Sequence, residues 1–416
     1  MKPIRSLPSY DEALETLLSR VARLETESID LNQAIGRTLC HAIIADRDQP
    51  PFNRATMDGF ALCSREFEPD KIFSVTGSAP AGASPIDEET RPASDTTLRI
   101  ATGAPLPAGR DVVVPIERAQ VRETERGEVV SFHVDALPPW TNVHRRASDA
   151  SKDQIILEAG TRLGLHHVGI AATMGATQLE VTRRPRATIL TSGDEVRAPC
   201  VTTDKLAPHQ IRNSNGPMIR AFLAALGAEV QDHQHVTDDL TATRDAAEKA
   251  VASNDIIVTT GGVSVGHRDF LADVWPTIGL ETVLHGVAIQ PGKPLLAAVP
   301  WARNAGPLVL GLPGNPVSSF VTAHLFLWPV LRKMLDPKRN SSIPWRQVPL
   351  AEDVRARSDR QLFRATRLVP EGTARLVTWH GSGDLMHLAK AEGLTRLPLQ
   401  ETVAAGTSVP FLPFAA

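Results

Sequence analysis

Three short stretches in the second half of the chain carry the residue types that an oxyanion demands. The first is TSGDEV, Thr191 to Val196, with Gly193 at its centre. The second, TTGGVSVGHRDF, places Gly261, Gly262, Ser264 and Gly266 after an apolar β run. The third, GLPGNPVSS, sets Gly311, Pro313, Gly314, Asn315 and Pro316 ahead of Ser318. Glycine at a strand-to-helix turn lets backbone N–H groups approach a phosphate closely, and the helix N-terminus adds partial positive charge. A plain tight turn is the alternative for any one of these loops. Three along one sheet edge favour a ligand, because open α/β sheets bind their ligands beyond the carboxyl ends of the strands.

Carboxylates lie close by: Asp194, Glu195, Asp238, Asp239 and Asp269. Beside a phosphate cradle they repel the ligand unless a hard cation such as Mg²⁺ sits between them. Helix capping competes with that reading at Asp238 and is preferred at Asp239, whereas Glu195 and Asp269 are read as site residues. QPGKP offers Lys293 as a cation in a Pro-bracketed turn, with a solvated surface lysine as the alternative. In the first half, Asp58 and Gly59 share one turn and Thr102 and Gly103 another. No Ser/His/Asp arrangement is legible, and the 13 His show no HExxH spacing. His166 and His167 are read as helix surface rather than as ligands.

These residues need elements to position them. From Arg186 to about Asp336, apolar β runs (ATIL, DIIVTT, PLVLGL) alternate with amphipathic helices, the pattern of parallel βαβ units. NGPMIRAFLAALG reads as a helix opened by an Asn215 cap and closed by Gly227, and DLTATRDAAEKAVA as one capped by Asp239. Near the N-terminus, Ser9 and Glu12 have capping-box spacing, and Ala13, Leu14, Leu17, Leu18 and Val21 share a helical face. DLNQAIGR predicts a short second helix. Gly and Pro punctuate short β-branched stretches from about Phe60 to Trp140, and short strands return near the end.

The expected fold is α/β multidomain. A helical linker domain covers 1–48 and 149–183, an inserted β-rich domain 49–148, a doubly wound α/β domain 184–338, and a C-terminal β-barrel-like domain 343–416.

Length and composition agree with several domains: 416 residues exceed one compact core, and 42% hydrophobic residues allow each piece to bury its own. With 44 Lys+Arg against 47 Asp+Glu there is no broad basic field for nucleic acid or anionic lipid. Cys40, Cys63 and Cys200 have no CxxC spacing and read as thiols of a reducing compartment. The N-terminus lacks the pattern of an export signal, and the apolar run Phe320 to Leu331 is shorter than the ~20 residues of a membrane span. A soluble, cytoplasmic protein is expected.

PPFNRATMDGFA, RIATGAPLPAGRDVVVPIE, NVHRRASD, PRATILTSGDEV, QIRNSN, TTGGVSVGHRD, QPGKP, GLPGNPVSS and HGSGDL, in this order over essentially the whole chain, resemble the molybdopterin molybdenumtransferase family. That family includes the gephyrin E domain and the bacterial enzymes. The resemblance implies a homodimer of elongated four-domain subunits, in which the α/β domain holds the pterin nucleotide and the partner's first two domains close the cleft. It implies a reaction on adenylylated molybdopterin and molybdate, with Mg²⁺, that releases AMP, and other cofactor-assembly proteins as partners. Carried onto this sequence, it assigns Gly262, Ser264, Gly314 and Asn315 to phosphate, and Glu195, Asp238 and Asp269 to the cation. Asp58, Thr102 and Asp149 come from the first two domains, and Ser382 from the terminal one. Thr191, Gly193, Ser214, Asn215, Gly261, Gly266, Lys293, Gly311, Pro313, Pro316 and Ser318 complete the expected pterin-nucleotide site.

The sequence departs from the family pattern at several positions. Gly286 and Gln290 stand where the better-known bacterial enzymes carry lysines, which weakens attraction for an oxyanion. His267 stands where many relatives have an acid, Ala55 where some have serine, and Met386 with His387 where many have paired serines. A pterin-binding carrier or scaffold is therefore the rival expectation to the enzyme.

Overall fold

The protein is described by a computed structural model covering residues 7–82, 84, 93–237, 239–262, 270–301, 306–336, 343–356, 359–399 and 402–415. The chain divides into two compact units, one of residues 1–28, 36–40 and 180–416, the other of residues 29–35 and 41–179.

The larger unit is built on a six-stranded sheet. Strands Glu229–Val236, Arg186–Ser192, Ile256–Thr260 and Leu308–Leu312 lie side by side and parallel. Leu296–Pro300 and Leu280–His285 then add an antiparallel edge, so the sheet is mixed rather than wholly parallel. The central strands are apolar on both faces because both are covered. Ile256 and Val258 face one core with Leu308 and Leu310, and Ile257 and Val309 face the other. The helix Asn215–Ala225 and the helical run from Pro316 to Leu335 cover the first face, and Leu240–Ser253 and Phe270–Thr277 the second.

The N-terminal helix Tyr10–Leu18 forms with the Ser9–Glu12 capping box that the spacing predicts. Its apolar face does not stay with 149–183, the segment grouped with it from sequence. Tyr10, Ala13 and Leu17 enter the core of the larger unit, and Tyr10 packs edge-on against Phe326 and Phe363. Asp11 pairs with Arg396 at 2.6 Å.

Two local readings change. Residues 31–33 form one 3₁₀ turn, not the short helix expected of DLNQAIGR, because Asp30 already takes the Asn32 amide in a local turn. Asn215 is the first helical residue and not the cap; Asn213 Oδ1 instead accepts from the Gly216 amide at 2.9 Å. Asp239 does cap its helix, accepting from Ala242 N–H at 2.8 Å.

In the C-terminal part of this unit, the sheet follows the order Ile289–Gln290, Gln361–Leu368, Gly393–Leu397, Ser408–Pro413, Arg346–Pro349, with Ala374–Leu376 pairing Gln361–Leu368. Its first short strand ends at the first residue of QPGKP, where Gln290 pairs with Leu362. That pairing fixes the loop carrying Lys293 against the C-terminal sheet.

The smaller unit is organised around a six-stranded sheet formed within residues 59–132. Its strand Gly59–Leu62 is wholly buried, with Ala61 facing one apolar cluster and Phe60 and Leu62 another. Gly59 is compulsory there: a Cβ would lie 1.9 Å from the Val114 carbonyl oxygen. The helix Leu165–Thr173 belongs to the same unit, and His167 Nδ1 accepts the Gly164 amide at its N-terminus, so this histidine is occupied in capping.

Candidate active site

A cleft of about 830 Å³ opens at the carboxyl ends of the parallel strands of the larger unit. Its floor is made by two of the three sequence-predicted loops facing each other. At the end of Ile256–Thr260, Gly261 and Gly262 take φ of +84° and +61°, which glycine adopts without strain. Close packing also excludes a side chain at Gly261, where a Cβ would stand 2.9 Å from the Ser192 carbonyl oxygen. Opposite, Pro313, Gly314, Asn315 and Pro316 turn from strand Leu308–Leu312 into the helix Pro316–Thr322. A Cβ on Gly314 would lie 3.6 Å from Gly261 Cα, so the two glycine turns are separated only by the missing side chains.

Side-chain amides hold these turns. Asn215 Nδ2 donates to the Gly314 carbonyl at 2.8 Å, which occupies an acceptor that would otherwise repel an anion. Asn315 Nδ2 donates to Ser382 Oγ at 2.9 Å, and the Val317 amide to the Ser382 carbonyl at 3.1 Å. Asn213 Nδ2 donates to Thr191 Oγ1 at 3.1 Å, which joins the first loop to the QIRNSN segment. Asn215 Oδ1 is buried and has no hydrogen-bond partner among the described residues.

Thr191, Glu195, Ser214, Asn215, Gly261, Gly262, Lys293, Pro313, Gly314, Asn315, Pro316, Ser318 and Ser382 all line this one cleft. Gly193 lies in the turn between Ser192 and Glu195, with φ +126°. Gly311 is not in the wall: it is buried within its strand, paired with Thr259 and Leu296. Asp238, Ser264, Gly266, His267 and Asp269 lie outside the described residues.

Gln290 lines the cleft as the QPGKP reading expects, but Gly286 does not. Its φ is +87°, and a Cβ there would meet Leu7 Cδ2 at 2.8 Å. Two cations that sequence reading left unassigned, Arg212 and Arg360, join Lys293 on the walls. Arg212 is braced by the Val201 carbonyl, at 2.9 Å from Nη2. Trp379, also unassigned, lines the wall contributed by the C-terminal sheet region. Only the adjacent HGSGDL motif hinted at that wall.

In the smaller unit, Asp58 and Thr102 form one pair. The Thr102 amide and hydroxyl both donate to Asp58 Oδ1, at 2.6 and 2.8 Å. The backbone bond and then the hydroxyl bond hold the Asp58 carboxyl below its ordinary range. Asp149 is placed differently, bonded through Oδ1 to His144 Nε2 at 2.7 Å.

A second cleft, of about 630 Å³, lies near the opposite ends of the same strands, beside Arg183, Asn254 and Asp255. Its most buried ionic groups, Arg183 and Asp255, are paired with each other. Arg183 donates twice to Asp255, at 2.6 and 2.7 Å, and once to Glu25, and Asp255 also accepts the Arg186 amide. The glycine-lined cleft is the one at the carboxyl ends of the parallel strands, where open α/β sheets bind their ligands.

An open, doubly wound sheet with its cleft at the carboxyl ends of the parallel strands defines an α/β protein of the ligand-binding class. Within that class the chain belongs to the molybdopterin molybdenumtransferase family. Residues 8–175 match the MoeA N-terminal region (domain I and II), 188–333 the probable molybdopterin binding domain, and 347–414 the MoeA C-terminal region (domain IV). The chain is 35% identical over 412 residues to the molybdopterin molybdenumtransferase of Synechococcus elongatus, covering 96% of this chain and 98% of that one. It is 30% identical over 409 residues to that of a Synechocystis species, covering 97% and 99%. Among solved structures it is similar to the molybdopterin biosynthesis moea protein from Pyrococcus horikosii. That likeness has a TM-score of 0.80 and 27% identity, over 98% of this chain and 99% of that chain.

Proposed function

We propose that this protein is a molybdopterin molybdenumtransferase of molybdenum cofactor biosynthesis, taking adenylylated molybdopterin and molybdate, placing the metal on the dithiolene and releasing AMP. The observation that carries the reading is the pair of facing glycine turns, Gly261–Gly262 and Gly314–Asn315, in one cleft with three cationic side chains. A phosphoanhydride, a dithiolate and an oxyanion are all negative, so bringing them together needs fixed donors in place before they arrive. Arg212, Lys293 and Arg360 supply charge, and the glycine turns supply close backbone approach.

The rival reading, a pterin carrier, drew its support from the absent lysines at 286 and 290. Arg212 and Arg360, two lining cations beyond Lys293, weaken that support. Gly286 in particular is an unsuitable position for a cation, because its φ of +87° favours glycine and it does not line the cleft.

Among the described residues no three His, Cys, Asp or Glu gather as a metal site. The exposed Glu195 carboxylate in the cleft is nevertheless the kind of ligand Mg²⁺ uses, since that ion keeps several waters and binds through one or two carboxylates and substrate phosphates. Glu195, with Asp238 and Asp269, would hold it, and the ion would offset phosphoanhydride charge as AMP leaves. Asp58, Thr102 and Asp149 are assigned to the cleft of a partner copy in a homodimer. The Asp58–Thr102 pair keeps its carboxylate ionised and oriented for that role.

The test is to mix the purified protein with adenylylated molybdopterin, Mg²⁺ and molybdate, and to follow AMP and the activation of an apo-molybdoenzyme. Molybdate-dependent AMP release with activation is expected; tight pterin binding without either would return the carrier reading.

A further inference from the structure

Among the described residues lining the active-site cleft, one side chain is aromatic: Trp379. It is half-buried, and its inner part rests against the main core of the larger unit. The Arg364 guanidinium lies 4.8 Å from its ring centroid, and the buried His387 ring lies 5.8 Å away, tilted by 55°. Arg364 is itself anchored, donating to the Val377 carbonyl at 3.4 Å. The indole is therefore fixed by neighbours on its own wall while it contributes to the surface of the cleft. A side chain held this way loses little freedom when a ligand lies on it.

Trp379 is three residues before Ser382, whose hydroxyl bonds Asn315 in the phosphate turn. A flat group on the indole is thus close along the wall to the phosphate cradle. Both ends of a pterin nucleotide meet that description, since the pterin and the adenine each sit about one saturated ring away from a phosphate. The glycine turns offer backbone N–H groups to a phosphate, and Arg212, Lys293 and Arg360 offer it charge.

We infer that Trp379 is the platform on which a fused nitrogen heterocycle of the substrate stacks, with Arg364 and His387 bracing the indole in place. The inference rests on the function proposed above and specifies how that site grips its ligand. Base–aromatic stacking gives losses on the order of tenfold or more in affinity when the ring is removed.

The test compares Trp379→Leu, which keeps apolar volume, with Trp379→Phe, which keeps a ring. Both are checked by circular dichroism and thermal melting. Trp379→Leu is expected to raise KM for adenylylated molybdopterin on the order of tenfold with little change in kcat, and Trp379→Phe to stay within roughly threefold of the parent. Equal KM values for the parent and Trp379→Leu overturn the inference, as does a Phe variant no better than Leu. Intrinsic fluorescence is read in parallel, titrating AMP in one arm and neopterin phosphate in the other. Quenching present in the parent and lost in Trp379→Phe supports stacking and shows which ring is bound; no such difference with either probe overturns it. A parent that binds both probes through Trp379 but never releases AMP would sink the proposed reaction while leaving the stacking intact.

Discussion

Asn315 Nδ2 donates to Ser382 Oγ across 2.9 Å, so the turn that begins the Pro316–Thr322 helix is tied to the loop of the C-terminal sheet region. The Val317 amide reinforces it through the Ser382 carbonyl. One edge of the glycine-lined cleft is therefore shaped by two segments about 67 residues apart in sequence.

Ser382→Ala removes the side-chain half of this tie and leaves the backbone half. Stability is expected to change by no more than about 1 kcal/mol, the usual net value of one exposed hydrogen bond. KM for the pterin nucleotide should rise several-fold because Asn315 is no longer oriented. Thermal melting beside steady-state kinetics separates the two effects.

Two glycine variants should part company. In Gly261→Ala the methyl meets the Ser192 carbonyl in a left-handed backbone conformation, which costs about 1–3 kcal/mol and lowers the melting temperature. Gly314→Ala has an ordinary contact at 3.6 Å and should fold normally, while its methyl fills the space between the glycine turns and weakens AMP binding. Urea titration and calorimetric AMP binding on both proteins check this, and an unimpaired Gly314→Ala would show that the phosphate lies elsewhere.

Adding charge should help at only one of positions 286 and 290. Gln290→Lys is expected to lower the molybdate concentration giving half-maximal rate, since Gln290 lines the cleft. Gly286→Lys should give no such gain and should destabilise the fold by about 1 kcal/mol or more, because its φ is +87°. Molybdate titrations of AMP release distinguish the two.

Acid should loosen the larger unit through His324. This ring is buried among Phe222, Phe320 and Phe414, with Nδ1 bonded to the Phe320 carbonyl and Nε2 accepting the Ala415 amide at 3.3 Å. Burial lowers its pKa to about 4 despite the opposing Phe320 bond. Because the unfolded chain protonates near the ordinary value of 6.5, the neutral ring's contribution is complete above that pH. It is lost as pH falls from 6.5 towards 4, by about 3 kcal/mol in all. Urea unfolding across that interval should show the slope, reduced in His324→Phe.

The central strands and glycine loops were legible because their signals are local. An apolar run bounded by Gly and Pro reads as a buried strand, and GLPGNP carries its turn chemistry within six residues. The helix start at Asn215 is not legible as such because an Asn there looks like a cap whether it is the cap or the first helical residue; the helix bounds and the Asn213–Gly216 bond separate the two. Arg360 and Trp379 were not legible because nothing in their own segments marks them. Arg360 precedes the strand that pairs with Gln290, and Trp379 follows Ala374–Leu376, which pairs with that same strand; periodicity encodes neither contact between distant segments. The destination of the first helix was hidden for the same reason: its spacing predicts an apolar face but not the core that receives it.

The central claim is that the facing glycine turns hold the phosphate. A crystal structure with AMP and Mg²⁺ tests it most directly. The phosphate oxygens should lie about 3 Å from backbone amides of the Gly261–Gly262 and Gly314–Asn315 turns. A phosphate seated instead beside Arg183 at the opposite ends of the strands, or one touching neither glycine turn, would contradict the account.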